Sequence, residues 1–154
     1  MESNFFLMEP LEQAQMLFKE GYSCSQSILM AFAPLFDLDR ETAARLAASF
    51  GGGVARRGET CGAVNGAFMV LGLKFGHTSA LDLDSKEKTY RAVQEFISQF
   101  QMRNRSITCN QLLDLDVSTP DGLQTAHDTQ LFSTRCPGFV EDAVDILDQL
   151  LASD

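Results

Sequence analysis

The sequence has no tryptophan, two histidines and no Cys-x-x-Cys pair. The missing Cys-x-x-Cys excludes a thioredoxin-type dithiol or a zinc ribbon as a local motif. No apolar run is long enough to span a bilayer, which excludes membrane insertion by a helix. Positive charge is scarce: 12 Lys and Arg stand against 21 Asp and Glu, for a net charge of −9. Such a surface repels phosphate backbones and anionic membranes, so no nucleic acid is expected as a partner. The first ten residues, MESNFFLMEP, carry an early Glu and no basic stretch. They do not read as a signal peptide, and a cytoplasmic location is expected. Strand signals are also missing. No β-branched alternation is present, and no Asn-Gly turn separates two alternating runs.

What is present is helical spacing, and 154 residues suffice for one core. Pro10 suits the first turn of a helix and Gly21 its stop. A second helix is expected over 24–32, ended or kinked by Pro34. A third follows Asp39 as cap and ends at Gly51-Gly52-Gly53. A fourth runs from near Cys61 to before Gly76. Its Gly62, Ala63, Gly66 and Ala67 form a thin side on which another helix could lie closely. Residues 77–83 read as a loop. Asp84 and Glu87 make a capping box for a long helix carrying Tyr90, Val93, Ile97 and Phe100 and ending near Asn104. A short helix is expected at 109–115, then a short turn or helix with Thr119 as cap and Pro120 at its first position, and a last helix at 137–151. The fold class is therefore all-α: a single domain over residues 1–154, a compact bundle of about six to seven helices. With twelve Phe and no Trp, some apolar surface would stay exposed, which favours a homodimer.

The four cysteines share a local context. Cys24 follows Ser23 and precedes Gln26, a capping box that puts the thiol at the first helical position. Cys109 sits between Thr108 and Gln111 in the same pattern. Cys61 follows Thr60 at the start of the thin-sided helix. Cys136 precedes Pro137, so it is expected at the cap of the last helix. A helix N-terminus carries partial positive charge and unpaired N–H donors, and would draw a thiol pKa down from about 8.5 toward roughly 7. Arg56 and Arg57, upstream of Cys61, and Arg135, beside Cys136, would add to this.

If the four N-termini converge, Cys24, Cys61, Cys109 and Cys136 suit three objects. One is a [2Fe–2S] cluster, another a zinc ion, each held by four thiolates. The third is a set of redox-active thiols that form a disulfide. Against these stands plain packing of small, apolar cysteines. Cys61 ranks first among the four, because the small-residue helix opens access to it. Gly62 and Arg56 join the site as neighbours.

The same residues carry a resemblance. Cys61-Gly62-Ala63-Val64-Asn65-Gly66 matches a C-G-A-x-x-G signature. GYSCSQSILMAF around Cys24, SITCNQLLDLDVSTPDG around Cys109 and CPGFVEDAVDILDQLL from Cys136 match its other segments. So does the glycine run FGGGVARRGETCGA. The chain resembles the C_GCAxxG_C_C family over nearly its whole length, from about Leu11 to Leu151. That family is inferred to be redox-active from its cysteines. Its genes often lie near transporter genes, and similar domains occur in electron-transfer proteins. The resemblance thus implies a redox partner or a transporter, and it adds weight to the iron–sulfur option.

Other residues weigh less. Gly51-Gly52-Gly53 is expected to end a helix and turn the chain; no Gly-Lys-Ser/Thr follows, so it is not a P-loop. His77 and His127 are expected at the surface, and Asp114 and Asp116 in water. Asn65 would face either the cysteines or water. No Ser-His-Asp or Cys-His pairing follows from spacing, so an enzyme with a cysteine nucleophile lacks an evident base. The reading of different class is a non-catalytic binding or regulatory module, associated with a transporter, in which the cysteines only pack.

Overall fold

Eight α-helices make up the computed structural model, which describes residues 8–153. The N-terminal residues read above for a leader lie largely outside that range. In chain order the helices are α1 (Pro10–Lys19), α2 (Cys24–Phe32), α3 (Arg40–Ala47) and α4 (Gly62–Phe75). They continue as α5 (Leu83–Asn104), α6 (Cys109–Leu113), α7 (Pro120–Asp128) and α8 (Leu131–Leu151). Short 3-10 turns follow α2 at Ala33–Phe36 and α3 at Ala48–Phe50. Among the described residues there is no strand, only one isolated antiparallel bridge between Thr60 and Thr108. The count exceeds the expected six to seven because the stretch after Thr119, which reads as a short turn or helix, forms a nine-residue helix, α7.

The hub is α2. Ser25, Ser27, Ile28, Leu29, Met30, Ala31 and Phe32 are all buried. A helix covered on every side belongs at the centre of a bundle. It packs against α1, α3, α4 and α8. Two of its polar residues tie down the end of α3: Ser25 Oγ donates to the Ala47 carbonyl at 2.8 Å, and Gln26 Nε2 to the Ala44 carbonyl at 3.0 Å. Those carbonyls lie in the last turn of α3, where helical partners run out.

The expected thin side of α4 is the face that meets α2. A Cβ placed on Gly66 would stand 2.9 Å from both Ile28 Cβ and the Ser25 carbonyl oxygen. On Gly62 it would lie 3.2 Å from Cys24 Cβ. Only glycine permits so close a backbone approach. The approach sets the starts of α2 and α4 side by side.

The other face of the core is aromatic. Phe68 of α4 meets Phe96 of α5 edge-on with centroids 6.0 Å apart; Phe96 stacks on Phe100 at 5.9 Å, and Phe100 reaches Phe139 of α8 at 6.4 Å. Such pairs add about 0.5–1.5 kcal/mol each beyond their burial. The apolar stripe of α5 thus runs through Phe96 and Phe100, whereas Tyr90, expected on it, is 52% exposed. The cap of α5 also differs from expectation. Asp82, not Asp84, accepts from the Ser85 N–H, so the helix begins earlier.

The largest departure concerns α8. It begins at Leu131 rather than Pro137, after Gln130 takes a left-handed conformation with φ 55°. Pro137 is therefore inside the helix. It denies the Ser133 carbonyl a helical partner, and Ser133 is exposed, so water can serve it.

Candidate functional site

Cys24, Cys61, Cys109 and Cys136 all line one cavity of about 550 Å³. Each arrives by its own local route. Ser23 caps α2 with the full capping box, its side chain accepting from the Gln26 N–H, so Cys24 is the first helical residue. Cys61 is itself the N-cap of α4, one position earlier than its Thr60 context implied. Cys109 opens α6, yet the box expected at Thr108 and Gln111 does not form. Gln111 accepts from Ser106 Oγ instead, and that hydroxyl in turn accepts the Thr108 N–H at 2.9 Å. Cys136, expected at a cap, lies in the second turn of α8 because that helix starts upstream.

Two contacts then group the thiols as pairs. The packing of α2 against α8 sets Cys24 beside Cys136, near enough for a thiol–thiol interaction that raises one titration and lowers the other. A backbone bridge joins the other two. The Cys61 N–H donates to the Ile107 carbonyl at 2.7 Å and the Cys109 N–H to the Glu59 carbonyl at 2.6 Å, either side of the Thr60–Thr108 pair. Side chains alternate across extended backbone, so Cys61 and Cys109 share the face opposite the two threonines.

The segment between α3 and α4 closes one wall. Gly52, Gly53, Val54, Ala55 and Arg56 have φ of 67°, 72°, 65°, 50° and 63° in succession, a left-handed turn. Each non-glycine residue there costs about 1–2 kcal/mol. Hydrogen bonds from Gly58 N–H to the Gly52 carbonyl at 3.1 Å and from Glu59 N–H to the Gly53 carbonyl at 2.9 Å hold it. A Cβ on Gly53 would strike Cys109 Cβ at 2.6 Å, so the turn presses directly on the site. The glycine run was expected to end a helix and turn the chain. Nothing in Val54-Ala55-Arg56 signals that the left-handed path continues through them.

The electrostatics correct one expectation. Helix N-termini were expected to lower the thiol pKa values, but burial dominates at two of the four. It pushes Cys61 up to about 11 against the pull of the Val64 and Ala63 N–H groups, and it pushes Cys109 up to about 12, with Cys61 and Cys136 adding to the shift. The Cys24 thiol is also raised, first by its bond to Cys136 and then by burial. Cys136 alone is lowered, by the hydrogen bond from Cys24 and by the nearby Arg135 guanidinium. The two titrate as one pair, in which the Cys24 thiol, and after it Arg135, pulls the charge toward Cys136. Arg135 is held for this by its bond to the Leu112 carbonyl at 2.8 Å. Sequence reasoning ranked Cys61 first; the electrostatics favour Cys136.

Gly62, Arg56 and His127 also line the cavity. Arg57 does not; it acts on Asp116, which accepts from Ser118 and Asn110. Asn65 faces neither the cysteines nor water alone, since its Nδ2 donates to the Thr60 carbonyl at 3.3 Å, bracing the approach to Cys61. His77 is exposed in its loop.

A single zinc ion asks for four sulfurs about 2.3 Å from one point. Among the described residues, no three His, Cys, Asp or Glu side chains are arranged to hold one ion. A [2Fe–2S] cluster asks for four thiolates shared between two irons. Two cysteine pairs facing one cavity fit that donor set.

A model of the C_GCAxxG_C_C family, described as "Putative redox-active protein (C_GCAxxG_C_C)", matches residues 22–150. The chain belongs to this family. The match spans all four cysteines that line the cavity of this C_GCAxxG_C_C protein. No curated protein and no solved structure matches the chain. No helix among the described residues is long and apolar enough to cross a membrane.

Proposed function

We propose that the protein is a thiol-based redox carrier in which Cys24 and Cys136 cycle between dithiol and disulfide. The observation that carries this reading is that Cys24 and Cys136, on two helices packed together, line the same cavity. The attacking partner is Cys136, whose charge is supported by Arg135. Cys24 resolves the exchange as the neighbouring protonated thiol. Cys61 and Cys109 stand behind them as buried thiols. A cytoplasmic setting and a redox partner belong to the same proposal.

The grouping in two pairs supports a second reading, a [2Fe–2S] cluster held by all four cysteines. Bound there, it would supply one-electron transfer, with the apolar wall excluding water from the thiolates.

One variant separates the two. Under carrier chemistry, Cys61→Ser leaves a two-electron couple that titrates in a thiol–disulfide buffer, while Cys24→Ser and Cys136→Ser each abolish it. Under cluster chemistry, oxygen-free purification yields iron, and all three variants lose it. A protein with no iron and no titrating couple would overturn both readings.

A further inference from the structure

The chain has 21 acidic residues, yet none among the described residues lines the cysteine cavity. Apart from the four thiols, the ionisable side chains on its wall are Arg56 and His127. Arg56 has no carboxylate partner among the described residues. The left-handed turn holds its backbone at the mouth of the cavity. The remaining wall is mainly apolar, including Phe18, Phe132 and Phe139. Three of the thiols are recessed, with Cys61 5%, Cys109 7% and Cys136 7% exposed. Cys24 is half-buried, so the pair opens to the outside through Cys24 alone, a narrower approach for a folded partner's disulfide than for a small one. A small molecule can enter, since cavities of about 300–1,000 Å³ are those that take small ligands.

We infer that the cavity takes a low-molecular-weight disulfide bearing carboxylate groups, steered by Arg56 onto the Cys24–Cys136 pair. The inference rests on the dithiol reading above and names its substrate class. In the first step the Cys136 sulfur attacks one sulfur of R–S–S–R, forming a mixed disulfide and releasing R–S⁻. In the second, Cys24 gives up its proton and attacks the Cys136 sulfur, releasing the other R–S⁻. The protein is oxidised to a Cys24–Cys136 disulfide, and two molecules of R–SH leave after protonation. The reverse sequence returns the two electrons. Arg56 acts by holding the carboxylate. In a protein with a net charge of −9, a cation at an acid-free mouth is what lets an anion approach at all.

The test uses three probes on the reduced full chain: the dicarboxylate 5,5′-dithiobis(2-nitrobenzoate), the uncharged 4,4′-dithiodipyridine and the cationic cystamine. Rates are normalised to those of a free thiol in solution. The expected order is dicarboxylate, then uncharged, then cationic, with the first favoured over the second by about tenfold at low salt. High salt should erase the preference, since mobile ions screen exposed charge. Arg56→Gln should bring the dicarboxylate-to-uncharged ratio close to one, and Arg56→Lys should keep most of it. Equal normalised rates for all three probes would overturn the substrate class while leaving the dithiol reading intact. Failure of every probe to oxidise the Cys24–Cys136 pair would overturn the dithiol reading itself, and the inference with it.

Discussion

At the scale of single residues, the left-handed turn beside the thiols is where this chain departs most from local preference. Ala55 sits in it with φ 50° and an exposed side chain, so it has little contact to lose. Ala55→Gly should therefore stabilise the protein by about 1 kcal/mol, read as a higher urea midpoint at unchanged slope. An unchanged or lower midpoint would mean that the turn is not strained at that residue. The caps show how far single residues could be read. Ser23-Cys24-Ser25-Gln26 yielded its capping box because every partner is local. Thr108-Cys109-Asn110-Gln111 has the same form and failed, because Ser106 competes for Gln111 from just outside the motif. Cys136 was misplaced because proline prefers a first turn, and that preference yielded to a helix already under way from Leu131.

At the scale of elements, the contact between α2 and α4 decides where two of the four thiols stand. Gly66→Ala puts a methyl against backbone as well as side chain, with the Ser25 carbonyl oxygen at 2.9 Å. The helices must separate, at a cost of about 1–3 kcal/mol. The expected signs are a lower denaturation midpoint and faster alkylation of Cys24 and Cys61 in the native protein. A variant with wild-type stability and wild-type alkylation would show that the close approach is not needed. This element was legible: the recurrence of Gly62, Ala63, Gly66 and Ala67 announces a thin face. The start of α5 was less so. Asp82 and Asp84 are both sound caps in sequence, and only the turn before Leu83 favours the earlier one.

At the scale of the molecule, the all-helical single chain could be read from periodicity, but the pairing of the sulfurs could not. The Thr60–Thr108 bridge joins segments with little strand character and far apart in sequence. The Cys24–Cys136 contact depends on α8 reaching past Pro137. Both are products of packing across the whole fold. Oxidation should be felt on the same scale, since a Cys24–Cys136 disulfide would close most of the chain into one loop. Cross-links of that kind stabilise by about 2–4 kcal/mol. Thermal unfolding of oxidised protein should thus occur several degrees higher than that of reduced protein. An oxidised form that melts no higher would argue against this pair as the one that closes.

The dispersal of the cysteines also has a temporal consequence. During synthesis Cys24 emerges long before Cys136, the neighbour it contacts in the finished fold. Through that interval α2 cannot be covered by α8, and the early thiols are open to any stray electrophile near the ribosome. Until residue 136 has been made, Cys24 lacks the neighbour beside which it sits in the finished fold.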